Sequence, residues 1–282
     1  MTIALNRDRL IHILKRLLVH LVLLTGALFA LFPFVWMVLT SLKSYIEASA
    51  AQSFFPTHWL FSNYVQAWNR VGLFPRYFEN TLIMAVATTL GVLITSSLAG
   101  YAFARMRFPG RDTLFIVLLS TMMVPFEVTL IPNFILMRDL HWIDHYEALI
   151  IPWTASAFSI FLLRQFFKAI PSELYDAAVL DGCTHFQFLW SIVLPLSRPA
   201  LITSALFTFL GSWNSLMWPL LVTNNPAMRP LQVGITSFIT DAGTDVQYLL
   251  AAVTISVIPV ILIYFFLQRW FIEGVARVGI RG

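Results

Sequence analysis

Charged residues are scarce in this 282-residue chain, at 11% against 59% hydrophobic. Soluble domains hold about 25% charged residues, so the shortage excludes a water-soluble globule. The two-residue alternation of a membrane barrel is missing as well. Backbone groups in lipid must then be satisfied inside helices. Cysteine occurs once, as Cys183, which excludes an intrachain disulfide. Lysine occurs only at Lys15, Lys43 and Lys168, each after an apolar residue. The Gly-Lys pair with which a P-loop cradles phosphate is therefore absent. The 6 histidines are dispersed; His141 and His145 have i,i+4 spacing but lack the zincin glutamate. Ser, His and Asp form no nucleophile elbow, and neither internal repeats nor low-complexity stretches are evident.

Apolar runs are what the chain has in quantity. A helical span takes roughly 20 residues, and six are predicted, at 17–40, 80–104, 113–135, 148–167, 199–222 and 247–270. The first run is too long for a signal-peptide core and lacks a small-x-small exit, so it is expected to be a retained anchor. Of the 18 basic residues, thirteen fall in 1–16, 105–112, 164–198 and 269–282, and five lie on the opposite side, at Lys43, Arg70, Arg76, Arg138 and Arg229. This asymmetry predicts cytoplasmic termini, a cytoplasmic N-terminus over 1–16, a membrane domain over 17–270 and a cytoplasmic tail over 271–282. Basic residues scattered beside span ends also argue against nucleic acid as a partner. The outer segment 41–79 mixes aromatics with polar residues; it suits an interfacial helix, a surface for an outside partner, or an aromatic belt at the headgroups.

Between spans four and five stands PSELYDAAVLDGCTHFQFLWSIVLP (171–195). Ser172 is expected to cap a helix over ELYDAAVLD, which is too short to span anything. Gly182 sits where a helix ends in left-handed backbone. Thr184 and Gln187 have capping-box spacing, so a second helix starts at once. Pro195 and Pro199 then break the chain. Ala177 and Ala178 leave the short helix with little bulk, and Asp176 and Asp181 make it acidic where a lipid-facing helix would be basic. A cytoplasmic protein partner is the expectation.

Asp-Ala-Ala-x-x-Asp-Gly, nine residues, then Ile-x-Leu-Pro (Asp176 to Pro195) closely resembles the EAA motif of permeases in binding-protein-dependent ABC importers. Asp176 stands where Glu is usual, and Cys183 where Ala is common. LAGYAFARMRFPGR (98–111), MMVPFEVTLIP (122–132), LLRQFF (162–167) and GSWNSLMWPLL (211–221) are similar to the carbohydrate branch, the maltose and glycerol-3-phosphate type permeases. The resemblance covers nearly the whole chain. It implies an all-α integral membrane protein with six transmembrane helices and a coupling helix in the EAA loop (171–198). Asp176, Ala177, Ala178, Asp181, Gly182, Leu194 and Pro195 would contact the ATPase. The implied partners are a second, different permease, a dimer of ATP-binding subunits, an extracytoplasmic solute-binding protein and membrane lipid. This chain would bind no cofactor, with ATP and Mg held by the partner ATPase, and would lie in a bacterial-type inner membrane.

For the solute pathway the candidates are Glu127, Asn133, Trp213, Asn214 and Trp218. A carboxylate mid-span costs about 2.5–3.5 kcal/mol on insertion scales, so Glu127 should face a cavity or a partner, and Pro125 and Pro132 would free carbonyls beside it. A structural hydrogen bond between spans explains Glu127 or Asn214 equally well. No Lys or Arg sits mid-span, which leans towards a neutral sugar, with glycerol-3-phosphate or glycerophosphodiester import as the alternative. The rival classes are a non-transporting membrane scaffold and a polytopic membrane enzyme, the latter lacking the polar catalytic cluster it would need.

Overall fold

Helices hold most of the chain in a computed structural model that describes residues 2–50, 53–70, 72–240 and 243–279, with backbone alone at 2–8, 70, 240, 267 and 269–279. Arg7, Arg70, Arg269, Arg277 and Arg281, which carry part of the basic asymmetry, thus have side chains outside the described residues. The chain divides into two compact units, Met1–Arg70 with Phe238–Ile255, and Val71–Ser237 with Ser256–Gly282.

In the first unit, α1 (Thr2–Ser41) is one 40-residue helix with apolar side chains exposed along most of its length. The helices α2 (Tyr45–Ala50) and α3 (Ser62–Arg70) follow. Polar contacts help to hold this segment against the end of α1. Fully buried Lys43 donates to the Ser53 carbonyl and lies 4.8 Å over the Trp36 ring. Asn63 donates to the carbonyls of Ser41 and Lys43, both at 2.8 Å. Part of the segment read as 41–79 is therefore a folded cap, on which Trp59 and Phe61 stack at 6.4 Å while exposed. Short strands β1 (Ile239–Thr240) and β2 (Gly243–Thr244) pair antiparallel.

In the second unit, α4 (Phe74–Arg105) packs against α8 (Ala157–Lys168) and α12 (Arg198–Trp213). Glycine permits close approach: a Cβ on Gly100 would meet the Arg164 nitrogen at 3.3 Å, and one on Gly91 would meet Thr154 Cγ2 at 2.6 Å. Around these run α5 (Arg111–Ser120), α6 (Phe126–Asp139), α7 (Tyr146–Ile150), α9 (Ser172–Leu180), α10 (His185–Phe188), α11 (Leu194–Leu196), α13 (Met217–Val222) and α14 (Leu231–Ile235). The last helix, α15 (Val246–Gly279), belongs to the first unit as far as Ile255 and to the second from Ser256, and continues through most of the stretch read as a tail.

Six spans result only when bent helix pairs are counted as one each; α1, α4 and α15 are the unbroken candidates among the described residues. The expected single helix over 113–135 turns by 98° between Met123 and Phe126. Pro125 has no N–H to give and pushes Val124 into extended backbone, φ −81 and ψ 116. The stretch 148–167 bends by 41°, where Ser156 accepts from the Ser159 N–H and caps α8. Thr95 of α4 donates to the Thr154 carbonyl at 2.6 Å, so the break leaves that carbonyl satisfied. In 199–222, α12 stops at Trp213 and α13 is a separate helix.

Candidate functional site

The motif loop is built by three local devices. Pro171, not Ser172, is the N-cap of α9, with extended ψ 141; Ser172 occupies the first helical position and its side chain caps nothing. Proline presets φ and has no N–H to satisfy, so it takes the boundary from serine. At the other end Cys183 N–H donates to the Ala178 carbonyl at 2.9 Å and Gly182 N–H to Val179 at 3.0 Å. That bond pair is a Schellman motif, and it requires the φ of +78 seen at Gly182. Thr184 Oγ1 then accepts from the Gln187 N–H while Gln187 Oε1 accepts from the Thr184 N–H, closing the capping box of α10. The helix widens to a π-turn over Leu189–Val193, just before Pro195, which cannot donate to the preceding turn. Pro195 therefore lies inside α11 rather than breaking the chain, and the 82° bend comes at Ser197.

Burial divides the alanine pair. Ala178 is 5% exposed and packs on Tyr101, Leu163, Phe167 and Phe188. Ala177, Asp176, Asp181 and Gly182 are exposed, as is Pro195, while Leu194 is half-buried against the same core. Leu180 is 89% exposed, with Leu174 and Val179 also uncovered.

The other feature is a cavity of about 560 Å³. Its aromatic wall is Phe126, Trp153 and Trp218, with Trp153 at 5.4 Å from Phe126 and edge-on to Trp218 at 5.7 Å. Hydroxyls come from Thr88, Ser156, Ser159, Thr208, Ser212 and Ser215. Thr88 is 2% exposed, and its hydroxyl has no partner among the described residues. No Asp, Glu, Lys, Arg or His is among the lining residues.

The sequence candidates are distributed unevenly around this space. Trp218 lines it, its indole donating to the Ala148 carbonyl at 2.8 Å. Glu127 is exposed in the first turn of α6, one residue on from Phe126. Asn133 is half-buried further along α6 and outside the lining. Trp213 stacks on Phe209 at 5.5 Å and donates to the Ser256 carbonyl at 3.1 Å, also outside it. Asn214 donates to Leu210 at 2.9 Å and closes α12. Sequence reasoning missed Trp153 and the serines, whose signal was polar residues at the breaks WTASAF and GSWNS within apolar runs.

Residues 91–277 match the family described as binding-protein-dependent transport system inner membrane component. The chain belongs to that family. It is thus an inner-membrane permease subunit of an ABC importer and not an enzyme, the ATPase being a separate subunit. The chain is 34% identical to the arabinooligosaccharides transport system permease protein AraQ of Bacillus subtilis (strain 168), over 91% of this chain and 92% of that one. It is 35% identical to the sn-glycerol-3-phosphate transport system permease protein UgpE of Yersinia pestis bv. Antiqua (strain Antiqua), over 90% and 94%. A chain of a bacterial ABC transporter involved in the import of the acidic polysaccharide alginate superposes with TM-score 0.80 and 28% identity, over 94% of this permease and 97% of that chain. A bacterial alginate ABC transporter in complex with alginate pentasaccharide-bound periplasmic protein shares the fold, with TM-score 0.61 at 16% identity over 90% and 95%.

Proposed function

We propose that this permease forms half of a translocation pathway for a neutral saccharide and couples it to a separate ATPase through α9. It would pair with a second, different permease, with two ATP-binding subunits that hold ATP and Mg, and with an extracytoplasmic solute-binding protein; this chain would bind no cofactor. Both termini and residues 171–198 would be cytoplasmic, as the basic asymmetry requires. The observation that carries the reading is the surface of α9: Leu180, 89% exposed, between exposed acidic residues on a helix held at both ends by its turns. Exposed apolar side chains with acidic neighbours are poorly suited to headgroups and suit a protein groove.

The neutral character of the solute rests on the cavity. Aromatic faces and hydroxyls suit sugar rings, and no cation is on hand for a phosphate. A second reading, import of glycerol-3-phosphate or a glycerophosphodiester, is favoured by the identity to UgpE. The partner permease would then supply the positive charge. Uptake by cells or proteoliposomes carrying the whole transporter, offered neutral oligosaccharides and glycerophosphates side by side, separates the two. Leu180→Asp should abolish co-purification of the ATP-binding subunits; unchanged co-purification would remove α9 from the docking role.

A further inference from the structure

His185 stands between two tyrosines that belong to different helices. Its Nδ1 lies 2.9 Å from the hydroxyl of Tyr101 on α4, and the hydroxyl of Tyr175 on α9 lies 3.2 Å from Nε2 and 3.5 Å from Nδ1. The imidazole stacks on Tyr175 at 5.4 Å with 21° between planes, and meets Tyr101 edge-on at 5.9 Å. Phe188 closes the cluster, edge-on to Tyr175 at 5.1 Å and fully buried. Tyr101 is 3% exposed, and His185 is the partner of its hydroxyl.

We propose that His185 is a positioning residue that ties α9 to the cytoplasmic end of α4, so that displacement of α9 by the ATPase reaches the cavity through this imidazole alongside the Ala178 packing. The inference rests on α9 being the docking helix and goes beyond it. Tyr101 meets the imidazole at its Nδ1 edge, and a hydroxyl can donate to or accept from that nitrogen, so either tautomer satisfies the bond, while Tyr175 holds the ring by stacking on its face. Its position is not free to drift, because the capping box at Thr184 fixes the residue directly before it. On the far side, α4 carries Met84, Thr88 and Val92 of the cavity wall. Thr88 lies about 20 Å from Tyr101 along one unbroken helix, at 1.5 Å per residue. A rigid rod joined to α9 by a hydrogen-bonded, stacked contact transmits movement that a loop of main chain would absorb.

The test must separate transmission from support. His185→Phe alone strands the buried Tyr101 hydroxyl and should lower stability for that reason. In Tyr101→Phe/His185→Phe both partners become apolar rings, so no buried polar group is stranded, the Tyr175 hydroxyl being open to water, and the packing remains. The whole transporter, carrying this pair of substitutions, is reconstituted in proteoliposomes, and ATP hydrolysed per solute imported is measured. The expected result is normal co-purification of the ATP-binding subunits, continued ATP hydrolysis, and about a fivefold or greater rise in ATP used per solute. His185→Gln, which keeps a donor and an acceptor, should recover part of the wild-type ratio. A wild-type ratio in the double variant would overturn the proposal; loss of assembly would also overturn it, by making the cluster structural support. Failure of the docking role of α9 would show differently, as Leu180→Asp retaining its ATP-binding subunits.

Discussion

Arg105 and Arg164 each donate to a main-chain carbonyl on the other's helix. Arg105, at the end of α4, donates from Nε and Nη2 to the Phe167 carbonyl at 3.1 and 2.9 Å, and also reaches the Ile170 carbonyl. Arg164, on α8, donates from Nε to the Phe103 carbonyl at 3.2 Å and lies 3.9 Å over the Phe115 ring. The last carbonyls of a helix lack intrahelical partners and carry the negative end of its dipole, so a cation is the fitting cap at each end. This exchange locks α4 to α8 directly beside the motif loop. It connects FARMRFPGR with LLRQFF, two stretches that carry the carbohydrate-permease resemblance.

Arg105→Lys should therefore fail to replace arginine. A single ammonium cannot reproduce the planar fork that serves Phe167 and Ile170 together. Loss of charged hydrogen bonds of this kind costs about 1.5–3 kcal/mol. Thermal unfolding in detergent should fall in midpoint for Arg105→Lys and Arg105→Ala alike, while membrane insertion is unchanged. A lysine variant as stable as wild type would show that the fork geometry is unimportant.

Gly182 is constrained by its backbone, not by crowding: φ is +78, and nothing lies within 4 Å of a Cβ added there. Gly182→Ala should cost about 1–2 kcal/mol, and Gly182→Val more, since a β-branched residue tolerates that region poorly. The local cost tilts α9 rather than unfolding the membrane bundle. Expected are normal insertion, weaker association with the ATP-binding subunits and lost uptake, read by co-purification and transport. Wild-type values for the valine variant would contradict the assigned turn.

Glu47 fastens the cap after α1. The Thr57 hydroxyl and N–H, at 2.8 and 2.7 Å, hold its carboxylate below the usual range, with lesser help from the Ser53 hydroxyl and the Lys43 charge. A depressed folded pKa contributes stability above the unfolded value and loses it as pH falls through the folded one. Proteolysis between α2 and α3 should be unchanged from neutral pH down to the ordinary carboxylate range, and rise only below about pH 4. Glu47→Gln should open the segment at neutral pH. A wild-type transition near pH 6 would rule out this carboxylate as the fastener.

Glu127 stands exposed beside the Phe126 wall of the cavity. Since an unpaired carboxylate is costly in lipid, Glu127→Ala should lower uptake several-fold without loss of assembly with the ATP-binding subunits. Normal uptake would reduce Glu127 to an incidental role.

The motif loop was largely legible because its devices are local. A Gly and a Thr-x-x-Gln announce their geometry within four residues. Ser172 misled because Pro171 competes for the same boundary, and Pro195 misled because it is held inside α11 while the bend falls at Ser197. The spans were less legible. Apolar runs give length but not direction, and Pro125 reads as a loosened helix where the chain in fact turns by 98°. Ala178 looked available from composition, yet its burial depends on Tyr101 and Leu163, distant in sequence. The cavity was hidden for the same reason: Thr88, Ser156 and Ser212 come from three separate stretches, and a lone Ser or Thr in an apolar helix looks like helix-joining polarity until the fold brings several together.

The most direct test of the central claim is a photocrosslinking residue placed at Leu180 in the assembled transporter. The account predicts an adduct with an ATP-binding subunit, and only lipid or permease adducts from the same residue at Phe29, which is 83% exposed on α1. An adduct at Leu180 with lipid, or with a protein outside the cell, and none with the ATPase, would contradict it.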